Sequence, residues 1–285
     1  MVAFSNLVSA STIFSGETNL ARLRAIVGKC RRLLVLTGAG CSTESGIPDY
    51  RDADGKWKKR RPVYFQEFIR SHEIRQYYWA RSFRGWPEFS CSRPNSAHAA
   101  IAALETQGII GGVITQNVDR LHQKAGSRRV IDLHGRLDRV LCLDCGARSE
   151  RDALQKRLEA MNSHFQASAR WVAPDGDAEL SRDEAAEFQV AECTECGGML
   201  KPDVVFFGEN VPLSRVEESI ALVEAADALL VAGSSLMVWS GYRFVRAAAA
   251  RGLPIAIVNR GLTRADALAT VKVSEGCGSV LSALI

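Results

Sequence analysis

The chain has 285 residues, 47% of them hydrophobic, and a formal net charge of +4. That is enough apolar material for one large α/β domain or two unequal ones, and the mild positive charge suits an anionic cofactor without arguing for nucleic acid. No apolar run approaches the roughly 20 residues of a membrane-spanning helix, so a soluble protein with no membrane partner is expected.

Residues 1–16 carry no charged side chain and read as a loose arm; a transit peptide would need Arg and a secretory signal a basic start, so neither is expected. Leu20, Leu23, Ile26 and Val27 recur at helical spacing as far as Gly28. The apolar run Leu33–Thr37 is strand-like and breaks into Gly38-Ala39-Gly40, then small hydroxyl residues, then Gly46-Ile47-Pro48-Asp49-Tyr50-Arg51. A buried strand that gives way to Gly-x-Gly presents backbone N–H groups to a phosphate, and glycine lets the backbone come close to it. No third glycine follows Gly40 at the two-residue gap, so this is not the dehydrogenase fingerprint. The basic stretch from 52 to 61 is either a loop over the site or a solvated surface. Phe65–Phe83 reads as an aromatic-rich helix, and Ser96–Gln107 as a helix closed by Gly108. Gly112–Thr115 is a short strand ending in Gln116-Asn117-Val118-Asp119, and Val130–Leu133 leads to His134-Gly135.

From about Arg139 to Lys201 the composition changes to that of a smaller inserted module, with a turn signal at Pro174-Asp175-Gly176 and a capping box from Ser181 to Glu184. Val204–Phe207 is expected to resume the main domain. Asp227–Ala232 then ends in Gly233-Ser234-Ser235-Leu236, Tyr242–Arg251 is a helix closed by Gly252, and Pro254–Val258 ends in Asn259. Four near-continuous apolar runs thus stop at Gly38, Gln116, Gly233 and Asn259. Such runs mark a parallel sheet covered on both faces, where ligands bind beyond the carboxyl ends of the strands, so the four tips should line one nucleotide crevice.

Of eight cysteines, Cys142, Cys145, Cys193 and Cys196 form two Cys-x-x-Cys knuckles, the donor set of one closed, structural zinc ion. The long connection between the knuckles costs little entropy. Cys30, Cys41, Cys91 and Cys277 are most simply small buried residues. Leu141, Asp144, Glu192 and Glu195 around the knuckles lack the basic and aromatic character of a nucleic-acid-binding ribbon.

Taken together and in order, the motifs from Gly38 to Arg51, Gln116 to Asp119, His134-Gly135, the two Cys pairs, Lys201 to Glu209, Gly233 to Ser235 and Asn259 resemble the sirtuins, NAD-dependent protein deacylases. The long Cys145–Cys193 insert and Tyr50 are similar to the branch of the mitochondrial lipoamidase sirtuin and its bacterial relatives. The resemblance implies a Rossmann-like parallel-sheet domain (residues 1–51, 96–138 and 201–285), with a small domain made of a helical module (52–95) and a zinc module (139–200). NAD would lie between them. Gly38, Ala39, Gly40, Glu44, Asp49 and Arg51 would hold its phosphates and ribose; Ile47, Gln116, Asn117 and Asp119 would surround the nicotinamide; Gly233, Ser234, Ser235, Asn259 and Cys277 would meet the adenosine half, Cys277 through its backbone. The acyl oxygen would attack the ribose with release of nicotinamide. His134 would be the general base, titrating near neutrality, with Asn117 beside it, and lysine and an O-acyl-ADP-ribose would leave. Val205, Phe206, Phe207, Gly208 and Glu209 would clamp the acyl-lysine peptide of a protein substrate against Leu236 and Val238, although the commoner family pattern has Pro near Ser240. Tyr78 and Arg81, three apart on one helix face, match a Tyr-x-x-Arg pair that binds acidic acyl groups in some sirtuins; an ordinary amphipathic helix explains them as well. The alternatives to deacetylation are mono-ADP-ribosyl transfer and lipoamidase or acidic-acyl activity. The implied compartment is the bacterial cytoplasm, or else the mitochondrial matrix; the sequence does not give the oligomeric state.

Overall fold

The structure is a computed structural model that describes residues 16–50, 62–165 and 175–285, so the N-terminal arm, Arg51, the basic stretch 52–61 and Pro174 lie outside the described residues. The strands are β1 (Leu33–Thr37), β2 (Ile110–Thr115), β3 (Val130–Asp132), β4 (Gly135–Cys142), β5 (Arg148–Glu150), β6 (Leu200–Val204), β7 (Ala228–Ala232), β8 (Ile255–Val258) and β9 (Val271–Val273). The helices are α1 (Gly16–Val27), α2 (Phe65–Arg70), α3 (His72–Ser90), α4 (Ser96–Thr106), α5 (Leu121–Lys124), α6 (Arg151–Met161), α7 (Arg182–Ala185), α8 (Leu213–Ala225), α9 (Trp239–Ala250) and α10 (Cys277–Ser282).

The main sheet has six strands, all parallel, in the order β3-β2-β1-β7-β8-β9. Side chains alternate across a strand, and here both faces are covered. Leu33 and Val35 of β1 pack with Leu23 of α1, Ile101 and Leu104 of α4 and Leu281 of α10. Leu34 and Leu36 pack on the opposite face with Leu222 and Val223 of α8 and Phe244 and Val245 of α9. The strand order reverses between β1 and β7, which leaves a crevice beyond their carboxyl ends. β3 and β9 extend the four expected strands to six; at three residues each they are too short for periodicity to reveal.

A second sheet has three antiparallel strands in the order β5-β4-β6. It shares one core with α2, α3 and α6, built from Phe68, Trp79, Phe83, Leu154, Leu158 and Leu200, with Phe188 beside them. The aromatic helices and the cysteine module are therefore one packed unit. Val204 was expected to resume the main domain; instead it closes β6, paired with Gly135 of β4, so the module limits expected at 139 and 200 fall inside strands. The single aromatic helix expected from Phe65 splits at Ser71, whose side chain caps α3 by accepting the Ile74 N–H. Ile47, Trp86, Phe89, Leu121 and Leu137 join the two units beneath the crevice.

Candidate functional site

Between the tips of the main sheet and the small unit lies a cavity of about 880 Å³, roomy enough for a dinucleotide with part of a second substrate. Every expected cofactor and peptide residue that the structure describes lines it: the Gly38–Gly40 turn, Glu44, Ile47 and Asp49; Gln116, Asn117, Asp119 and His134; Val205 to Glu209; Gly233 to Leu236 with Val238; and Asn259 and Cys277. Arg51 lies outside the described residues.

The floor is made where two strand tips are pressed together. The Gly40 N–H donates to the Gly233 carbonyl at 2.8 Å. Gly233 has φ +64°, and a Cβ there would sit 2.1 Å from the Cys41 nitrogen, so only glycine permits the approach. The tip of β2 is tied to the tip of β7 by Gln116 Nε2, which donates to Ser234 Oγ at 2.8 Å. These glycine turns leave room for a pyrophosphate to come close to the backbone. Glu44, expected to face phosphate or ribose, also turns toward α10, where it accepts the Gly278 N–H at 3.3 Å.

Beside the floor, Ser42 links two of the expected nicotinamide-end residues. Its hydroxyl donates to Asp119 Oδ2 at 2.7 Å. Having spent its single proton, it accepts from Asn117 Nδ2 at 3.0 Å, and the same amide donates to the Gly38 carbonyl at 3.0 Å. Burial pushes the Asp119 carboxyl up, opposed by the Leu121 N–H and the Ser42 hydroxyl. Behind this network the rings of His98 and His122 meet edge-to-face at 4.8 Å in the core, and burial lowers them to about 4 and about 3. They are neutral core groups.

His134 follows β3 and stands at the cavity wall. Its Nδ1 donates to the Gln116 carbonyl at 3.1 Å, which leaves Nε2 as the basic nitrogen; Nε2 accepts from Ser240 Oγ at 2.7 Å. Its expected titration near neutrality does not hold here. Burial lowers it to about 4, aided by the guanidinium charges of Arg215 and Arg243. A neutral imidazole with its lone pair on Nε2 is nonetheless the form a general base requires.

The expected peptide-binding stretch is partly committed already. The Val205 N–H donates to the His134 carbonyl at 2.8 Å, and the Phe207 carbonyl accepts from Phe65 at 2.9 Å. Glu209 closes its own turn, accepting from the Phe206 N–H at 2.8 Å and from Lys201 Nζ at 3.1 Å. Leu236 adopts φ +58°, held by its N–H to Ser234 Oγ at 3.2 Å. Tyr78 lines the cavity, but Arg81 is taken up elsewhere: it pairs with Asp177 at 3.3 Å and donates to the Ala178 carbonyl at 3.0 Å. Asp175, from the same insert, also lines the cavity.

Cys142, Cys145, Cys193 and Cys196 bring their sulfurs within 4.8 Å of one another. Cys142–Cys196 and Cys145–Cys193 are separated by 3.6 and 3.8 Å, against the ~3.8 Å edge of a tetrahedron with Zn–S bonds of about 2.3 Å. The donor set thus fits a zinc ion. Of the remaining cysteines, Cys41 and Cys277 are buried as expected, whereas Cys30 is half-buried and Cys91 exposed.

Among the cavity residues given no role in the sequence reading are Ser42, Ser240 and Arg243. Ser42 had a signal, a small hydroxyl directly after Gly-x-Gly. Ser240 and Arg243 had none, because only folding brings the start of α9 to His134.

A sequence profile described as the Sir2 family matches residues 38–240. An NAD-dependent protein deacetylase of Bordetella bronchiseptica is 53% identical over 271 residues, covering 95% of this chain and 99% of that protein. The mitochondrial NAD-dependent protein lipoamidase sirtuin-4 of Homo sapiens is 52% identical over 262 residues, covering 91% of this chain and 83% of that protein. A solved structure described as Sir2–p53 peptide–NAD+ superposes with a TM-score of 0.76 at 31% identity, over 93% of this chain and 96% of the other.

Proposed function

This chain belongs to the Sir2 family, and we propose that it is an NAD-dependent protein-lysine deacylase, with deacetylation the activity that its bacterial relatives support. The observation that carries the reading is a single one. His134, its Nδ1 fixed by the Gln116 carbonyl and its Nε2 held by Ser240, lines the same cavity as the glycine turns of β1 and β7 and the Asn117–Ser42–Asp119 network. NAD, when bound, supplies an ADP-ribosyl group with nicotinamide as its leaving group.

The residues present have distinct tasks. The turns at Gly38–Gly40 and Gly233–Ser235, whose Gly38, Gly40 and Gly233 N–H groups are spent on neighbouring carbonyls, hold the phosphates and the adenosine half through the N–H groups of Ala39, Ser234 and Ser235. Asn117 and Asp119, fixed by Ser42, hold the nicotinamide end in one orientation, with Ile47 excluding water. His134 takes a proton at Nε2 from a substrate hydroxyl, while the Gln116 carbonyl fixes its tautomer through Nδ1. The four cysteines hold zinc away from this chemistry, supporting the small unit. The large unit built on the main sheet and the small unit built on β4–β6 act as the two walls of the cleft.

A second reading concerns the acyl group. The similarity to human sirtuin-4 lipoamidase, and an Arg81 already engaged by Asp177 and the Ala178 carbonyl, favour uncharged acyl chains, lipoyl among them, over dicarboxylic ones. The test is nicotinamide release from NAD with acetyl-, lipoyl-, succinyl- and glutaryl-lysine peptides, the peptide product being weighed by mass spectrometry. Uncharged acyl groups should be removed at least about tenfold faster than the dicarboxylic ones, a difference of ~1.4 kcal/mol in the barrier. His134→Ala should abolish removal of all of them. Nicotinamide release without any acyl peptide, accompanied by labelling of protein from NAD, would replace the deacylase reading by ADP-ribosyl transfer.

A further inference from the structure

His134 has two nitrogens, and the fold has given each a partner. Nδ1 donates to the Gln116 carbonyl, so Nε2 carries the lone pair, and the hydroxyl of Ser240 lies 2.7 Å from it. Ser240 stands in the first turn of α9, one residue after Trp239 and three before Arg243. Arg243 lies on the same helix face, lines the cavity, and has a buried Nε with no hydrogen-bond partner. Among the described residues, the charged groups facing the ring are Arg215 from α8 and Arg243 from α9, both cations, with no carboxylate to offset a proton gained by the imidazole.

We propose, resting on the deacylase reading, that Ser240 is the positioning residue of the general base: its hydroxyl aims the His134 lone pair as a donor and stabilises the protonated ring as an acceptor. A hydroxyl alone among small side chains can play both parts at one nitrogen, since it carries one donor and two acceptor positions. In the resting protein Ser240 donates to Nε2 and holds the ring in its Nδ1–H tautomer. Nε2 has a single lone pair, so Ser240 first rotates its O–H off it while keeping its proton; Nε2 then takes the proton of a substrate hydroxyl, the N–H bond forming as that O–H bond breaks, and Ser240 Oγ accepts from the new Nε2–H. With two guanidinium groups nearby and no acid beside the ring among the described residues, that acceptor is the local compensation for the charge.

The experiment uses the full chain with Ser240→Ala and Ser240→Thr. Kinetics with NAD and an acetyl-lysine peptide give kcat and KM, and calorimetry gives the Kd for NAD. Nitrogen-15 spectra of histidine-labelled, NAD-free protein, with the His134 signals assigned through His134→Gln, report the tautomer. Ser240→Ala should lower kcat about tenfold or more, with KM and Kd for NAD within about twofold of the starting protein. It should also shift the His134 Nε2 resonance, mixing the two tautomers. Ser240→Thr, which keeps the hydroxyl, should restore both kcat and the resonance. An Ala variant with unchanged kcat and unchanged His134 resonances overturns the proposal, as does a Thr variant that loses as much as Ala. Starting protein that removes no acyl group overturns the deacylase reading instead, and the nitrogen resonances then decide the role of Ser240 alone.

Discussion

Ser42 has one proton to give, and giving it to Asp119 fixes which way the Asn117 amide must point. Removing that hydroxyl leaves Asp119 and Asn117 each short of a partner in a buried place. Ser42→Ala should therefore destabilise the fold by about 1–3 kcal/mol. It should also lower kcat/KM for NAD by at least about tenfold, and denaturant titration and steady-state kinetics separate the two effects. The histidines give a prediction in pH. His98, His122 and His134 are lowered to about 4, about 3 and about 4, from an unfolded value of 6.5. Between those limits the unfolded chain binds more protons than the folded one, so stability is present in full above pH 6.5 and is lost as pH falls toward 4. Thermal unfolding at pH 5 should take up protons at these sites, measurable as a buffer-dependent enthalpy that disappears at pH 8. For catalysis the sign is the same: the acidic limb of kcat/KM for the free enzyme should fall near 4 and not near 6.5. Of these three, the sequence singled out His134. It could not show their titration, because burial and the two arginines arrive from α8 and α9.

At the scale of the element, the strand tips matter most. Gly233 sits at φ +64° with its missing Cβ 2.1 Å from the Cys41 nitrogen, whereas Gly46 at φ +85° has open space around it. Gly46→Ala should cost only backbone strain, about 1 kcal/mol. Gly233→Ala should push the β1 and β7 turns apart and abolish NAD binding. Calorimetric titration with NAD and a melting curve for each variant check the contrast, and equal losses in both would contradict it. Gly-x-Gly after β1 was legible because a buried strand followed by glycine is a local signal. The partner turn at Gly233 could be named but not placed, since its contact lies nearly two hundred residues away along the chain. The short edge strands β3 and β9, and the start of β4 at Gly135, escaped for a related reason: pairing, not periodicity, makes them strands.

For the whole molecule, the two cores divide the consequences of metal loss. The main sheet buries both of its faces without using any of the four clustered cysteines, whereas Cys142 and Cys193 belong to the core of the small unit. Chelation, or Cys142→Ser with Cys196→Ser, should therefore loosen β4–β6 and remove activity while most far-UV circular dichroism survives. Metal analysis should find one zinc per chain before treatment. Loss of the entire fold on chelation would show that the main sheet depends on the small unit.

Local chemistry was written in the sequence: four thiols at knuckle spacing, a phosphate turn after an apolar strand, a histidine after a short apolar run, and apolar strands that require cover on both faces. These are decided by residues near one another in the chain, so a linear reading reaches them. Only the tertiary structure decided that Arg81 is engaged by Asp177, that Glu209 closes its own turn against Lys201, and that Ser240 meets His134. Each of those contacts depends on where a helix or loop from elsewhere comes to rest. Charge and hydrogen bonding act through space, and separation along the sequence does not fix that distance.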